Sequence, residues 1–537
     1  MSLTEKLLAP SARTALVDPM VRFRYAVDSA PNRTAVHGSD RTLTFAELDY
    51  RTRQVAGRLA DHGIGRGARV GVSLHRGADL VVALLAVWRV GAAYVPLDPA
   101  YPQDRLTYMV ESADVRTVLA EADSGTAWPT GVATISLADA VSTQATDPDV
   151  VAAESPLTDP AYVIFTSGST GMPKGVEATR GGVASLIADL EDAGYYGEQP
   201  RVVAWNASFS FDASVQQWAR ICRGDSIVVI SDSERTDPDA LRARLDEHAV
   251  DDLDLTPSHW TLLRETLLAP TADGRTLRLF MGGEPVPADV WKELGQARQD
   301  GMIEAINLYG PTECTVDSTA TWITGEGPHI GRPLPGFAAY VLDDALRAAA
   351  VGEPGELYLA GAAVANGYVN RPALTAQRFV ADPFAVGGRM YRTGDRVRLR
   401  PDGTIDYLGR SDRQIKIRGC RVELDEIETA LAEHPDVGEA VVILHATATV
   451  GDQLVGYYVS SGERAPGARE LQEHLAGLLP PYMIPSAFVM LTAMPLSVNG
   501  KVDHRALPVE ALWSSAEVEE PQGEEPQGEI EMLIAGV

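Results

Sequence analysis

The sequence predicts an α/β protein with a large N-terminal body and a small, mobile C-terminal α+β domain, and three observations carry that prediction. Helical and strand-like segments alternate from Leu43 onward, the pattern of parallel strands covered by helices. A loop rich in glycine and hydroxyls with one lysine, Thr166 to Gly175, follows the apolar run Ala161–Phe165, as an anion-cradling loop follows a strand. Near residue 412 the chain passes from turn-prone Gly409, Ser411 and Asp412 to the alternating Ile415-Lys416-Ile417-Arg418, which marks a boundary between two bodies. The expected division is 1–411 for the core, 412–508 for the small domain with its hinge at Asp412, and 509–537 for a linker.

Size and charge narrow the field. At 537 residues the chain exceeds a single core and is long enough for three or four domain-sized units. Its 45% hydrophobic and 22% charged residues are those of a globular protein. A formal net charge of −28 argues against a nucleic-acid or anionic-membrane surface, and leaves room for a locally positive anion site. Cys222, Cys314 and Cys420 lie far apart and fit neither a disulfide framework nor a zinc pattern, so a reducing compartment is expected. The N-terminus has no signal-peptide architecture, and no stretch reaches the ~20 apolar residues of a membrane span. The expectation is a cytoplasmic protein.

Taken in order, residues 44–63 have helical spacing with Leu48, Val55 and Leu59 on one face and a stop at Gly63. Residues 68–74 read as a buried strand and 78–91 as a buried helix. Residues 202–218 read as a strand running into a helix that starts near Asp212, whose ordinary role there is a helix N-cap. A strand over 277–281 ends in the pair Gly282-Gly283. Residues 355–372 have short strands and glycine turns, a β-rich region, and 401–404 is a β-turn within a hairpin. Beyond the boundary, Leu424, Ile427, Ala430 and Leu431 share a helix face, 439–446 and 453–461 are strands, and a helix ends at Pro480. Residues 514–537 are acidic and Pro/Gly-rich with a tandem Glu-Glu-Pro-Gln-Gly, a linker composition.

The loop Thr166-Ser-Gly-Ser-Thr-Gly-Met-Pro-Lys174-Gly is not a Walker A loop, because Met172-Pro173 separate Gly171 from Lys174, and a flexible surface loop is its plain alternative. It resembles the phosphate loop of the adenylate-forming enzymes, which include acyl-CoA synthetases and the adenylation domains of nonribosomal peptide synthetases. Asn307-Leu-Tyr-Gly-Pro-Thr-Glu313, Tyr391-Arg-Thr-Gly-Asp395, Phe211-Asp-Ala-Ser-Val215 and Asn499-Gly-Lys-Val-Asp503 resemble further motifs of those adenylation domains, in order and sensibly spaced over roughly 20–508. The resemblance implies an adenylate-forming core of two α/β sheet subdomains and a β-rich subdomain, followed by the small domain. The last residues resemble the opening of a carrier-protein domain, so the chain reads as a piece of a longer protein.

The resemblance also assigns roles. Thr166, Ser167, Gly168, Ser169, Thr170, Gly171 and Lys174 would hold the ATP phosphates, with Thr312 bonding the phosphate too. Gly283, Glu284, Pro285, Asn307, Leu308, Tyr309 and Gly310 would lie along adenine. Asp395 would take the ribose hydroxyls, with Tyr407 and Arg410 at the nucleotide. Glu313 would ligate Mg2+; a lone glutamate after Pro-Thr is otherwise a solvated turn residue. Lys501 would be the catalytic lysine of adenylation, and Lys416 would replace it when the small domain rotates for thioester formation; taken alone, Lys501 is a solvated turn lysine. The chemistry is carboxylate plus ATP giving acyl-AMP and pyrophosphate, then transfer to the phosphopantetheine thiol of a downstream carrier protein. A small MbtH-like helper protein is a further partner that the resemblance allows.

Alignment to the family's specificity pocket puts Asp212, Ala213, Gln216, Asp254, Phe280, Gly282, Leu308, Val316, Asp317 and Lys501 around an amino acid. Asp212 takes the α-amino group and Lys501 the α-carboxylate. Gly282 leaves room, Phe280, Leu308 and Val316 wall a methylene stem, and Gln216 with Asp254 as a charged acceptor suit a side-chain amide. The expected substrate is L-glutamine, then glutamate or a polar analogue, then a basic amino acid such as ornithine. An acyl- or aryl-CoA synthetase, lacking an acidic partner for an α-amino group, and a non-enzymatic nucleotide binder are the competing classes.

Overall fold

The computed structural model describes residues 14–122, 125–142, 155–168, 171–271, 273–325, 327–447, 451–462, 464–496 and 502–508. Ser169, Thr170, Lys501 and the acidic stretch 514–537 lie outside the described residues. Contacts divide the chain into two units. One comprises the chain up to Pro99, Met109–Phe165 and Lys174–Asp412, and the other Ala100–Tyr108, Thr166–Pro173 and the chain from Arg413.

The first unit is built on three sheets. A nine-stranded sheet runs in the order Arg332–Pro333, Thr319–Trp322, Ile303–Tyr309, Leu277–Met281, Asp252–Leu255, Val202–Trp205, Ser226–Val229, Thr34–His37 and Thr42–Thr44. Its six central strands are parallel and its ends antiparallel. A seven-stranded sheet carries Gly367–Tyr368, Lys174–Thr179, Pro160–Thr166, Ala93–Pro96, Arg69–Ser73, Thr117–Ala120 and Ala133–Ser136. The third is antiparallel: Phe337–Leu342, Pro354–Gly361, Arg389–Leu399 and Phe379–Ala381, with Ile405–Arg410 also on Arg389–Leu399.

The local sequence explains the elements. The helix Phe45–Asp61 opens on a capping box, Thr44 receiving the Glu47 amide while Glu47 takes the Thr44 amide, and buries Leu48, Val55 and Leu59 completely. The helix Ala78–Arg89 is buried nearly all round, as its unbroken apolar run requires. The turn at 401–404 joins the hairpin strands as expected, with Gly403 at φ 90°.

In the second unit the hairpin Gln414–Ile417/Cys420–Glu423 turns at Arg418 and Gly419, both at positive φ (49° and 79°), a two-residue loop that matches the strand twist. The helix Leu424–Ala432 buries Leu424, Ile427, Ala430 and Leu431. A three-stranded sheet, Val437–Thr447, Gly451–Ser460 and Ala487–Leu491, packs with the helix Ala468–Ala476, the α+β composition expected there. Among the described residues no helix is long and apolar enough to cross a membrane.

Candidate active site

Ligands of open parallel sheets bind beyond the carboxyl ends of the strands. At that edge of the nine-stranded sheet, four neighbouring strands each end in candidate residues. Val202–Trp205 leads to Asn206 and Asp212, Asp252–Leu255 carries Asp254, Leu277–Met281 leads to Gly282–Pro285, and Ile303–Tyr309 leads to Gly310–Glu313. One sheet edge thus gathers most of the expected nucleotide and amino-acid residues of the first unit.

Two polar clusters hang from the last of these strands. The Tyr309 hydroxyl donates to Asp395 at 2.5 Å, and Arg410 donates to the other oxygen of Asp395 at 2.7 Å. Tyr407 lies with its ring centre 6.4 Å from that of Tyr309. Four residues on, Glu313 is fully buried, accepts the Tyr368 hydroxyl at 2.6 Å and lies 3.9 Å from the Lys174 ammonium. That ammonium sits 5.2 Å from the Tyr368 ring centre, a cation–π distance. Asn307 is engaged elsewhere, its amide donating to the His329 carbonyl at 2.9 Å, and Glu284 accepts from Ser258.

The chain around and beyond the Glu313 cluster is tightly constrained. A Cβ on Gly310 would lie 1.9 Å from the Val316 carbonyl oxygen, so only glycine fits. Thr315 and Val316 adopt φ of 53° and 75°, a left-handed conformation that costs a β-branched residue about 1–3 kcal/mol. The strain turns the chain between Glu313 and Asp317. Among the described residues no group of three or more His, Cys, Asp or Glu side chains is arranged to hold a metal. A Mg2+ ion suits this donor set in the manner usual for nucleotide sites, through one carboxylate, Glu313, and the nucleotide's own phosphates.

The amino-acid residues fall on neighbouring strands. Asp254 pairs in register with Phe280, and a Cβ on Gly282 would meet Leu308 only at an ordinary 3.6–3.7 Å, so that side is open. Phe280, Leu308, Val316, Asp317 and Gln216 are buried, whereas Asp212 and Asp254 keep part of their surface open and Ala213 is exposed. Among the described residues the Gln216 side-chain nitrogen has no hydrogen-bond partner, a buried donor of the kind expected there. One expectation needs correction. Asp212 stands at the N-cap position of the helix Ala213–Trp218, but its backbone is already helical (φ −65°, ψ −28°) and its side chain makes no capping bond. Burial pushes the Asp254 carboxyl well above the usual carboxylate range; Asp317 and Asp252 add to the rise, while Arg220 and a hydrogen bond from Gln217 oppose it. That rise works against the charged acceptor expected at Asp254.

In the second unit, the loop residues Thr166, Ser167, Gly168 and Gly171 lie with the hairpin and its following helix. Ser167 Oγ donates to the Arg421 carbonyl at 2.9 Å and accepts the Glu423 amide at 3.0 Å. The Gly168 amide donates to Glu426 at 2.9 Å, and Arg105 holds the other Glu426 oxygen at 2.9 Å. A carboxylate thus occupies a loop amide of the type that binds phosphate. Lys416 is exposed on its strand, and Asp412, at the unit boundary, is held by Arg410 at 2.6 and 2.8 Å.

Sequence reasoning missed Tyr368, which orders Glu313 from 55 residues away, and Tyr196, whose buried ring packs against Phe280 at 5.8 Å. It also missed Gln217, whose side-chain oxygen accepts the Asn206 and Ala207 amides at 3.0 Å. The fold and these clusters define an adenylate-forming enzyme, an ATP-dependent ligase. The model of the AMP-binding enzymes matches residues 23–369, and that of the AMP-binding enzyme C-terminal domain matches 426–501.

The chain belongs to the AMP-binding enzyme family, and within it to the adenylation domains of nonribosomal peptide synthetases. It is 36% identical, over 98% of its length, to the dimodular nonribosomal peptide synthase of Bacillus subtilis, of which it spans 22%. It is 38% identical to novobiocin biosynthesis protein H of Streptomyces niveus, over 95% of this chain and 85% of that one. An artificially fused adenylation–PCP di-domain of a synthetase from Klebsiella oxytoca matches it with a TM-score of 0.78 at 26% identity, over 89% of this chain and 94% of that one.

Proposed function

We propose that the chain activates L-glutamine with ATP, forming glutaminyl-AMP and pyrophosphate, and passes the aminoacyl group to the phosphopantetheine thiol of a carrier protein. The observation that supports this reading is that neighbouring strands of one sheet lead to Asp212, Asp254, Gly282 and the Tyr309 and Glu313 clusters. The substrate carboxylate is already the nucleophile at neutral pH, so no general base is required. Lys174 supplies positive charge to the phosphates, Asp395 accepts from the ribose hydroxyls, and Asp212 receives the substrate ammonium. Mg2+, held through Glu313, supplies charge neutralisation on the phosphates. Lys501 bridges the substrate carboxylate and the nucleotide oxygens, and rotation at Asp412 exchanges it for Lys416 before thioester formation.

The pocket suits an amide because Gln216 Nε2 needs an acceptor and a carboxyl oxygen of Asp254 can accept from the amide NH2. Glutamate is the second reading, since the upward shift at Asp254 weakens the like-charge contact that would reject a carboxylate. A basic amino acid such as ornithine is the third, since it leaves Gln216 Nε2 without an acceptor. Pyrophosphate exchange with glutamine, glutamate, asparagine and ornithine side by side tests the choice. Glutamine is expected first, and Gln216→Lys is expected to move the preference towards glutamate. A wild-type preference for ornithine, or for an aliphatic or aromatic amino acid, overturns the pocket reading.

A further inference from the structure

Within the second unit the loop from Thr166 is held from two helices. The Gly168 amide donates to one Glu426 oxygen at 2.9 Å, and Arg105 donates to the other at 2.9 Å. Three residues further along the helix Leu424–Ala432, Thr429 lies so close to Gly171 that a Cβ there would meet its Oγ1 at 2.8 Å. On the helix Gln103–Ser112, one turn beyond Arg105, Tyr108 donates to the Pro173 carbonyl at 2.9 Å. Glu426 does not satisfy all the donors around it. Arg105 and Thr166 are buried, and neither Arg105 Nε nor Thr166 Oγ1 has a hydrogen-bond partner among the described residues. A carboxylate has two oxygens, and here one is on the Gly168 amide and the other on Arg105 Nη1. A phosphate brings a third oxygen and more charge, and a guanidinium can grip it through two parallel N–H groups.

We propose that the Gly168 amide and the Arg105 guanidinium form an anion site for which Glu426 and a nucleotide phosphate compete. The inference rests on the reading of the Thr166 loop as the phosphate loop, and it adds Arg105 to the residues that hold phosphate. The Glu426 carboxylate stands in for the phosphate, because a loop amide and an arginine are the donors that phosphate oxygens take. Exchange of one anion for the other leaves the buried guanidinium paired, whereas loss of Glu426 with no replacement would strand its charge. A molecule whose site is held by Glu426 is closed to phosphate. The apparent affinity for ATP is therefore reduced to the fraction of molecules in which Glu426 has swung away.

Calorimetric titration of the folded chain with ATP and with adenosine, which has no phosphate, tests it. Glu426→Gln keeps an acceptor for the Gly168 amide and removes the charge. It is expected to bind ATP about tenfold more tightly than wild type and adenosine equally well. Glu426→Asp, which draws the carboxylate back from the amide, is expected to shift ATP the same way by less, and it carries the test if Glu426→Gln does not fold. The double variant Arg105→Met/Glu426→Met removes the pair together and is expected to bind ATP about tenfold more weakly than Glu426→Gln. ATP affinity at or below wild type in Glu426→Gln and Glu426→Asp, or an equal shift for adenosine, overturns the competition. Equal ATP affinity in the double variant and Glu426→Gln overturns the role of Arg105. If Lys174→Ala leaves ATP affinity unchanged, the phosphate-loop reading beneath the inference is what fails.

Discussion

The Tyr309 hydroxyl and the Asp395 carboxylate lie 2.5 Å apart, joining the end of a parallel strand in the nine-stranded sheet to the third, antiparallel sheet. Asp395 and Arg410 lie opposite each other in the register of that antiparallel sheet, so the ion pair at 2.7 Å is set by backbone pairing. A carboxylate already held by two donors is pre-oriented for a third and fourth, which is what the two hydroxyls of a ribose present.

Asp395→Ala is therefore expected to raise KM for ATP by about 10- to 100-fold with little change for the amino acid, and Tyr309→Phe to raise it less, because Arg410 still orients the carboxylate. Pyrophosphate exchange at varied ATP measures both. A larger effect of Tyr309→Phe than of Asp395→Ala contradicts the assignment.

Asp212→Ala is expected to raise KM for the amino acid by on the order of 100-fold, the consequence of leaving an ammonium without its partner, and to spare ATP binding. A large drop in melting temperature with unchanged KM would mark Asp212 as structural.

Arg105 and Glu426 form a buried pair, with side chains 5% and 1% exposed. Arg105→Met leaves the Glu426 charge without its partner and is expected to cost about 3–5 kcal/mol, most of it regained when Glu426→Met is added. Denaturant titration of the two variants reads the difference; equal stability of the single variant and wild type contradicts the pairing.

His37 lies 4.3 Å from His248, and burial, with His248 and Arg244 beside it, pushes its pKa down to about 4. The unfolded chain takes up this proton near pH 6.5 and the folded chain only near 4. Stability is thus intact above pH 6.5 and falls as pH drops through that window. Melting curves between pH 7.5 and 4 are expected to fall less steeply in His37→Gln than in wild type, and parallel curves would contradict the shift.

Local physics made much of this legible in the sequence. The helix faces of Leu48, Val55 and Leu59 and of Leu424 and Ile427, and the turn at Gly403, depend on residues a few positions apart. So do the loop from Thr166 and the run from Tyr309 to Glu313. What escaped depends on distant partners. The strand Thr34–His37 joins Ser226–Val229, Tyr368 reaches Glu313, and Gln217 reaches the Asn206 and Ala207 amides, and no spacing rule connects those positions. Asp212 escaped for another reason: aspartate before a helix caps it by default, and only the backbone angles show that this one does not.

The central claim is that this site joins an amino-acid carboxylate to AMP. ATP–pyrophosphate exchange across the twenty amino acids, with aryl and fatty acids in the same panel, tests it most directly. The account predicts exchange above background with a polar amino acid, glutamine strongest. Exchange only with aryl or fatty acids, or with no acid at all, would contradict it.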